Sequence, residues 1–200
     1  MMKTNYSIEE IVKAVQGQMS GADAASFLIT ELLTDSRKLI HPEHTLFFAL
    51  PGMKQDGHQF IADLYSKGVR CFVVAKAMPI AEMPLAVFIQ VKDVLAALQK
   101  LAAYHRKKFN IPVIAITGSN GKTVVKEWLY QLLHEDYNIV RSPKSFNSQI
   151  GVPLSLWQMN KQHTLGIFEA GISESDEMIR IEKMIQPTIG SFTHIGEAHS

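Results

Sequence analysis

Pro112-Val113-Ile114-Ala115-Ile116-Thr117-Gly118-Ser119-Asn120-Gly121-Lys122-Thr123 (residues 112–123) reads as a buried β-strand that runs straight into a phosphate-binding loop. The apolar run is unbroken, as in a strand covered on both faces. Gly118 and Gly121 let the backbone curl so that successive N–H groups turn toward an anion. Lys122 offers a point charge to β/γ-phosphates and Thr123 a hydroxyl to Mg²⁺, while the helix opening near residue 122 aims its positive end at the same phosphates. The common pattern G-x-x-x-x-G-K-[ST] would place its first glycine at Ile116, so it is only partly met. The competing reading is a strand-to-helix turn with an incidental lysine. The amphipathic helix that follows (Val124, Val125, Trp128, Leu129, Leu132, Leu133) favours the nucleotide.

Downstream, the pattern predicts helix 122–134, strand 137–141, helix 150–159, strand 164–169, helix 174–185 and strand 188–193. This βαβ rhythm implies an α/β fold with a mostly parallel, doubly wound sheet and ligands at the C-terminal ends of its strands. Strand 164–169 would then deliver Glu169, followed by Ala170-Gly171, beside the phosphates as a hard oxygen ligand for Mg²⁺. An ordinary strand-end glutamate is the alternative. Strand 188–193 brings His194, Glu197 and His199 to the same edge, but their spacing has no metal-site specificity, and each histidine alone reads more readily as a hydrogen-bonded structural residue. Between these strands, Ser145-Phe146-Asn147-Ser148-Gln149-Ile150-Gly151-Val152-Pro153 sets small polar residues ahead of a helix, equally suited to capping it or to touching a phosphate. The sequence ends at His199-Ser200, just past a strand, and a sheet of this kind is expected to continue.

Upstream, helix 93–108 ends in Arg106-Lys107-Lys108, which suits a helix C-terminus better than a nucleic-acid patch. Phe109-Asn110-Ile111-Pro112 breaks it and marks the expected boundary between a domain at 1–109 and the first part of another at 110–200. In the first domain, Ser7 with Glu10 three residues on forms a capping box for a helix ending near Gly17. Short apolar runs at 46–50, 71–74 and 87–90, with a helix at 59–67 between the first two, predict a small α/β module.

The formal net charge of +1 leaves no electrostatic footprint for nucleic acid or an anionic membrane. Cys71 is the sole cysteine, set in an apolar run, so it reads as a buried, inert thiol and no intrachain disulfide is possible. No stretch of eighteen apolar residues and no secretion signal is present, which with ATP use implies a cytoplasmic, reducing compartment. No internal repeat or low-complexity segment is seen.

Several motifs together resemble the Mur ligases, the ATP-dependent amino-acid-adding enzymes of peptidoglycan synthesis. Residues 117–123 resemble their T-G-[ST]-N-G-K-T loop, which accounts for the missing first glycine. Residues 147–153 resemble N-[NT]-x-I-G-x-P, Glu169-Ala170-Gly171 resembles E-x-G, and Ala198-His199 resembles a later A-H. Thr34-Asp35-Ser36-Arg37, Phe47-Phe48-Ala49-Leu50-Pro51-Gly52 and Asp56-Gly57-His58-Gln59-Phe60 resemble the uridine-nucleotide-binding domain of the family. Lys126-Glu127-Trp128 favours the subgroup that joins D-alanyl-D-alanine to UDP-N-acetylmuramoyl-tripeptide.

The resemblance implies that ATP phosphorylates the tripeptide's terminal carboxylate, and that the amine of D-alanyl-D-alanine then attacks the acyl phosphate. It implies ATP contacts at Gly118, Ser119, Asn120, Gly121, Lys122, Thr123 and Val124, and Mg²⁺ ligands at Thr123, Glu169 and His199. Lys122, Asn147, Glu169 and His199 would serve catalysis, and Ser36, Arg37, Asp56, Gly57 and His58 would lie along the UDP portion. Ser148 stands where the family has Asn or Thr, a mild departure. The family's carbamylated lysine and C-terminal domain would lie beyond residue 200, so the chain is expected to be an N-terminal portion, a monomer, and inactive alone. A MurE-type or folylpolyglutamate-type ligase, or a non-catalytic P-loop module, are the other readings.

Overall fold

The computed structural model describes residues 4–52, 56–171 and 177–194. The chain packs as two compact units, Met1–Leu101 and Ala102–Ser200.

In the first unit, β1 (Tyr6–Ser7) pairs antiparallel with β3 (Leu28–Ile29), and α1 (Ile8–Val15) lies between them in sequence. The Glu10 N–H donates to Ser7 Oγ at 3.2 Å, so the capping residue read from the sequence is in place. The main sheet runs in the order β2 (Gln18–Gly21), β7 (Val87–Gln90), β6 (Cys71–Val74), β5 (Thr45–Phe48), β4 (Glu31–Leu33). All neighbours are parallel except β2 with β7. Side-chain alternation along β5, β6 and β7 sends Phe47, Phe72 and Phe88 to one face, over Ile61 and Leu64 of α2 (Ile61–Ser66). Phe72 stacks on Phe88 with centroids 5.6 Å apart. The alternate residues, Leu46, Phe48, Cys71, Val73, Val87 and Ile89, are buried as well. Burial pushes the Cys71 thiol up to about 12, which fits the inert role expected of it.

The division between the units falls inside α3 (Val94–Arg106), a few residues before the Phe109-Asn110-Ile111-Pro112 break. Asp93 opens this helix, its Oδ1 accepting the N–H groups of Leu95 and Ala96 at 2.8 and 3.0 Å. The last turn is claimed by the second unit through two buried side chains. His105 Nε2 bonds the Met159 carbonyl at 3.0 Å, and its ring packs on Trp157 and Phe109. Arg106 donates to the carbonyls of Phe109, Ile185 and Gln186, satisfying the C-terminal end of α6 (Glu177–Ile185). One basic residue of the 106–108 cluster is therefore a buried helix cap.

The second unit is a four-stranded parallel sheet in the order β11 (Ile189–Phe192), β8 (Val113–Thr117), β10 (Leu165–Glu169), β9 (Ile139–Arg141). Ile114, Ile116, Leu165 and Ile167 face Val125, Leu129 and Leu133 of α4 (Lys122–Leu133). Val113, Val140 and Phe168 face the other way, onto Val152 and Leu156 of α5 (Gly151–Leu156) and Ile181, Met184 and Ile185 of α6. Helices thus cover both faces, as the unbroken apolar runs of the strands require. The chain leaves β8 toward β9 on one side and returns to β11 on the other, so the order reverses at β8. That reversal is where such sheets bind ligands.

Candidate functional site

Because all four strands of the second unit are parallel, the residues that follow them share one edge. The loop 118–121 follows β8, Ser142 follows β9, Glu169 closes β10, and Thr193 follows β11. Gly118 has φ +132°, and a Cβ there would sit 2.4 Å from Thr193 Oγ1 and 2.8 Å from the His194 carbonyl oxygen. Only glycine lets the loop pass so close to the end of β11. Gly121, at φ +83°, turns the chain into α4.

The loop is pinned from that side. Ser119 N–H donates to the His194 carbonyl at 2.7 Å, and the Thr193 hydroxyl bonds the carbonyls of Thr117 and Asn120. The amide of Ser119 is therefore engaged within the protein, unlike the expectation that successive loop N–H groups all turn to an anion. Lys122 Nζ donates to the Gly118 carbonyl at 2.5 Å, holding its charge over the loop. Val124 lies two residues further on, half exposed.

Glu169 is wholly buried at the centre of the edge. The Thr123 hydroxyl donates to its Oε2 at 3.1 Å. Its Oε1 faces Lys126 Nζ at 2.8 Å, and Lys126 is wholly buried too. This contact is a buried ion pair, and the ammonium also donates to the carbonyls of Ser142, at 2.9 Å, and Lys144. Ser142 Oγ in turn accepts the Glu169 N–H at 3.1 Å. The Thr123 hydroxyl beside the buried Glu169 carboxylate is a hard-oxygen donor pair. It fits Mg²⁺, which binds through few protein oxygens and completes its shell with water and substrate phosphates. Among the described residues no group of three or more histidine, cysteine or acidic side chains is placed to hold a metal ion. His199 and Glu197 lie outside the described residues.

Segment 145–153 folds onto the same edge. Gly171 N–H donates to the Asn147 carbonyl at 2.8 Å, and a Cβ on Gly171 would lie 2.7 Å from that oxygen. The glycine two residues after Glu169 thus admits Asn147 to the strand end. Ser148 Oγ accepts the Gly151 N–H at 3.1 Å, so this serine serves the start of α5.

Lys126 and Thr193 are the site residues that motif reading passes over. For Lys126 a signal exists: it stands three residues after Thr123, on the same helix face. For Thr193 none does.

In the first unit the residues expected along a uridine nucleotide also gather at one edge, after the parallel strands β4, β5 and β6. Asp35 accepts both the backbone N–H and the guanidinium of Arg37, the latter through two bonds of 2.8 Å. That side-chain bond holds the Asp35 carboxyl down at about 2, and Arg37 itself is exposed. Ser36 sits between them, at the start of a single 3₁₀ turn. Asp56 Oδ1 accepts the His58 N–H at 3.0 Å and meets His58 Nδ1 at 2.6 Å, while Lys76 reaches Oδ2. These bonds hold the Asp56 carboxyl well below the usual carboxylate range, the backbone N–H of His58 contributing most. His58 Nε2 accepts the Ala75 N–H at 3.1 Å, so the ring carries its proton on Nδ1 and donates to Asp56. Gly57 lies against the backbone after β5, where a Cβ would come within 2.7 Å of Leu50 N.

The chain is similar to known proteins. Residues 116–200 match the Mur ligase middle domain, and residues 28–106 match the Mur ligase family catalytic domain. A UDP-N-acetylmuramoyl-tripeptide–D-alanyl-D-alanine ligase of Bacillus subtilis is 31% identical over 96% of the chain, and its counterpart in Treponema pallidum is 35% identical over 96%. The chain spans 42% and 43% of those two proteins. Crystal structure I of MurF from Acinetobacter baumannii superposes over the whole chain with a TM-score of 0.90 at 29% identity, the chain covering 43% of it. MurF ligase from Thermotoga maritima, solved in complex with ADP, superposes over 84% of the chain with a TM-score of 0.75 at 25% identity, and 38% of it is covered.

Proposed function

The chain belongs to the Mur ligase family, and from that premise we propose that it forms the uridine-nucleotide-binding and ATP-loop portion of a UDP-N-acetylmuramoyl-tripeptide:D-alanyl-D-alanine ligase. The observation that carries the reading is the convergence of the 118–123 loop, Thr123, Glu169 and Asn147 on one sheet edge. Relatives named for this activity at more than 30% identity point the same way.

On this reading residues 118–124 hold ATP, with Lys122 set against its phosphates; that the Thermotoga relative was solved in complex with ADP supports an adenine nucleotide as ligand. Thr123 and Glu169 would hold Mg²⁺, joined by His199. The bound cation supplies charge neutralisation at the phosphate oxygens. A carboxylate of the UDP-linked tripeptide attacks the γ-phosphorus, the bond to the β-phosphate oxygen breaks, and ADP leaves an acyl phosphate. The amine of D-alanyl-D-alanine then attacks the acyl carbon and releases phosphate. Lys122 offsets the repulsion between the two anions of the first step, and Asn147 is placed to orient a phosphate or substrate group. In the first unit Ser36, Arg37 and the 56–58 turn receive the UDP portion. The first unit would be the substrate domain and the second the ATP domain, in the cytoplasm and as a monomer.

Titration calorimetry tests the assignment. The chain is expected to bind UDP-N-acetylmuramoyl-tripeptide and, weakly, Mg²⁺·ATP without turnover. Normal ATP binding with no heat from the UDP ligand would instead describe a P-loop module outside the ligase pathway.

A further inference from the structure

Lys126 has no part in the reading above, yet it is as deeply buried as Glu169. Its ammonium touches three separate pieces of chain: Glu169 at the end of β10, the carbonyls of Ser142 and Lys144 after β9, and, at 3.3 Å, the Glu127 carboxylate on its own helix. Burial of an ammonium in full costs several kcal/mol unless it is paired and hydrogen-bonded, so the site is built around it. Lys144 is one of three non-glycine residues, among those described, with a left-handed backbone, at φ +51°, a conformation that disfavours L-residues. The bond from Lys126 to its carbonyl helps hold that turn. Three residues later comes Asn147, tied to Gly171.

We propose that Lys126 is a positioning residue for the cation-phosphate end of the site. Its charge fixes Glu169 so that Oε2 stays against the Thr123 hydroxyl, and its donors fix the turn that presents Asn147. Thr123 and Lys126, one helical turn apart, hold the two oxygens of one carboxylate. The ammonium takes up Oε1 at 2.8 Å, so Oε2, the oxygen shared with the Thr123 hydroxyl, is the one left for a divalent cation. A carboxylate bonded only by neutral donors would repel the incoming triphosphate more strongly.

The inference rests on the proposed nucleotide site, and the test separates the two. Mn²⁺ binding in the presence of ADP, followed by electron paramagnetic resonance, is compared for the wild-type chain, Lys126→Met and Lys126→Gln, with ADP affinity in EDTA measured alongside. The glutamine keeps an amide donor for the 142–144 turn and removes the charge. Loss of a group that orients a metal ligand costs about 10–100-fold in metal affinity, so both variants are expected to lose Mn²⁺ by that factor while ADP affinity in EDTA moves far less. Equal loss of both affinities, or unchanged Mn²⁺ affinity, overturns the positioning role and leaves the nucleotide site standing. A wild-type chain that binds neither ligand removes the nucleotide reading and this inference together. Should both variants fail to fold, the Lys126 Nζ resonance of the wild type decides. It is expected to shift on adding Mg²⁺·ADP, and a resonance that does not move overturns the proposal.

Discussion

The Thr123 hydroxyl donates to Glu169 Oε2 at 3.1 Å, joining the first turn of α4 to the end of β10 across 46 residues of sequence. Replacing Thr123 with Val keeps the shape and removes the donor. The buried carboxylate then lacks its only hydrogen bond to that oxygen among those described, a loss of about 1–3 kcal/mol. Urea unfolding is expected to show this cost, and calorimetry is expected to show Mg²⁺-dependent nucleotide affinity falling more than metal-free affinity. A Thr123→Val chain with unaltered Mg²⁺ dependence would remove the hydroxyl from the metal site.

At Gly118 the loop and the end of β11 share a space that admits no Cβ, since the Thr193 hydroxyl and the His194 carbonyl stand within 2.8 Å of it. Gly118→Ala also forces an L-residue to φ +132°, a strain of about 1–3 kcal/mol. The variant is expected to melt earlier and to bind ADP more weakly, because the loop must leave its hydrogen bonds to residues 193 and 194. An ADP affinity equal to wild type would show that this closeness does not shape the phosphate site.

His105 gives the second unit a pH dependence. Desolvation holds its ring down at about 4, against an ordinary value of 6.5, and its Nε2 donates to the Met159 carbonyl as a neutral imidazole. The unfolded chain takes up the proton first, so stability is full above pH 6.5 and falls as pH drops toward 4, by about 3 kcal/mol. His163, lowered in the same direction by burial and accepting the Asn160 N–H on Nδ1, adds to the slope. Urea midpoints between pH 7 and pH 4.5 are expected to decline in the wild type and to flatten in His105→Gln.

The strand, loop and helix at 112–134 are legible because each follows a local rule: an apolar run, paired glycines, then a 3.6-residue period. Glu169 follows from its position at the end of a parallel strand, whereas segment 145–153 reads equally well as a helix cap or a phosphate contact, and Asn147 is singled out only by the family resemblance. The short strands β2, β3 and β4 escape such reading, since two to four residues give no alternation to see, and all of β2 is exposed. Lys126 escapes it for another reason. A lysine in an amphipathic helix reads as a solvent-facing charge, and its burial is decided by a turn some eighteen residues away whose carbonyls close over it. The division inside α3 is likewise set by partners distant in sequence, Met159 and Ile185, which bind the helix's last turn.

Under the proposed function, this site belongs to a ligase that adds D-alanyl-D-alanine to a UDP-linked tripeptide. ADP release by the full-length protein containing this chain, measured with ATP, Mg²⁺ and UDP-N-acetylmuramoyl-tripeptide, tests it most directly. Release that depends on D-alanyl-D-alanine, is unsupported by a diamino acid and is lost in Lys122→Ala is the predicted result. Release supported by a diamino acid alone, or by neither amine, would contradict it.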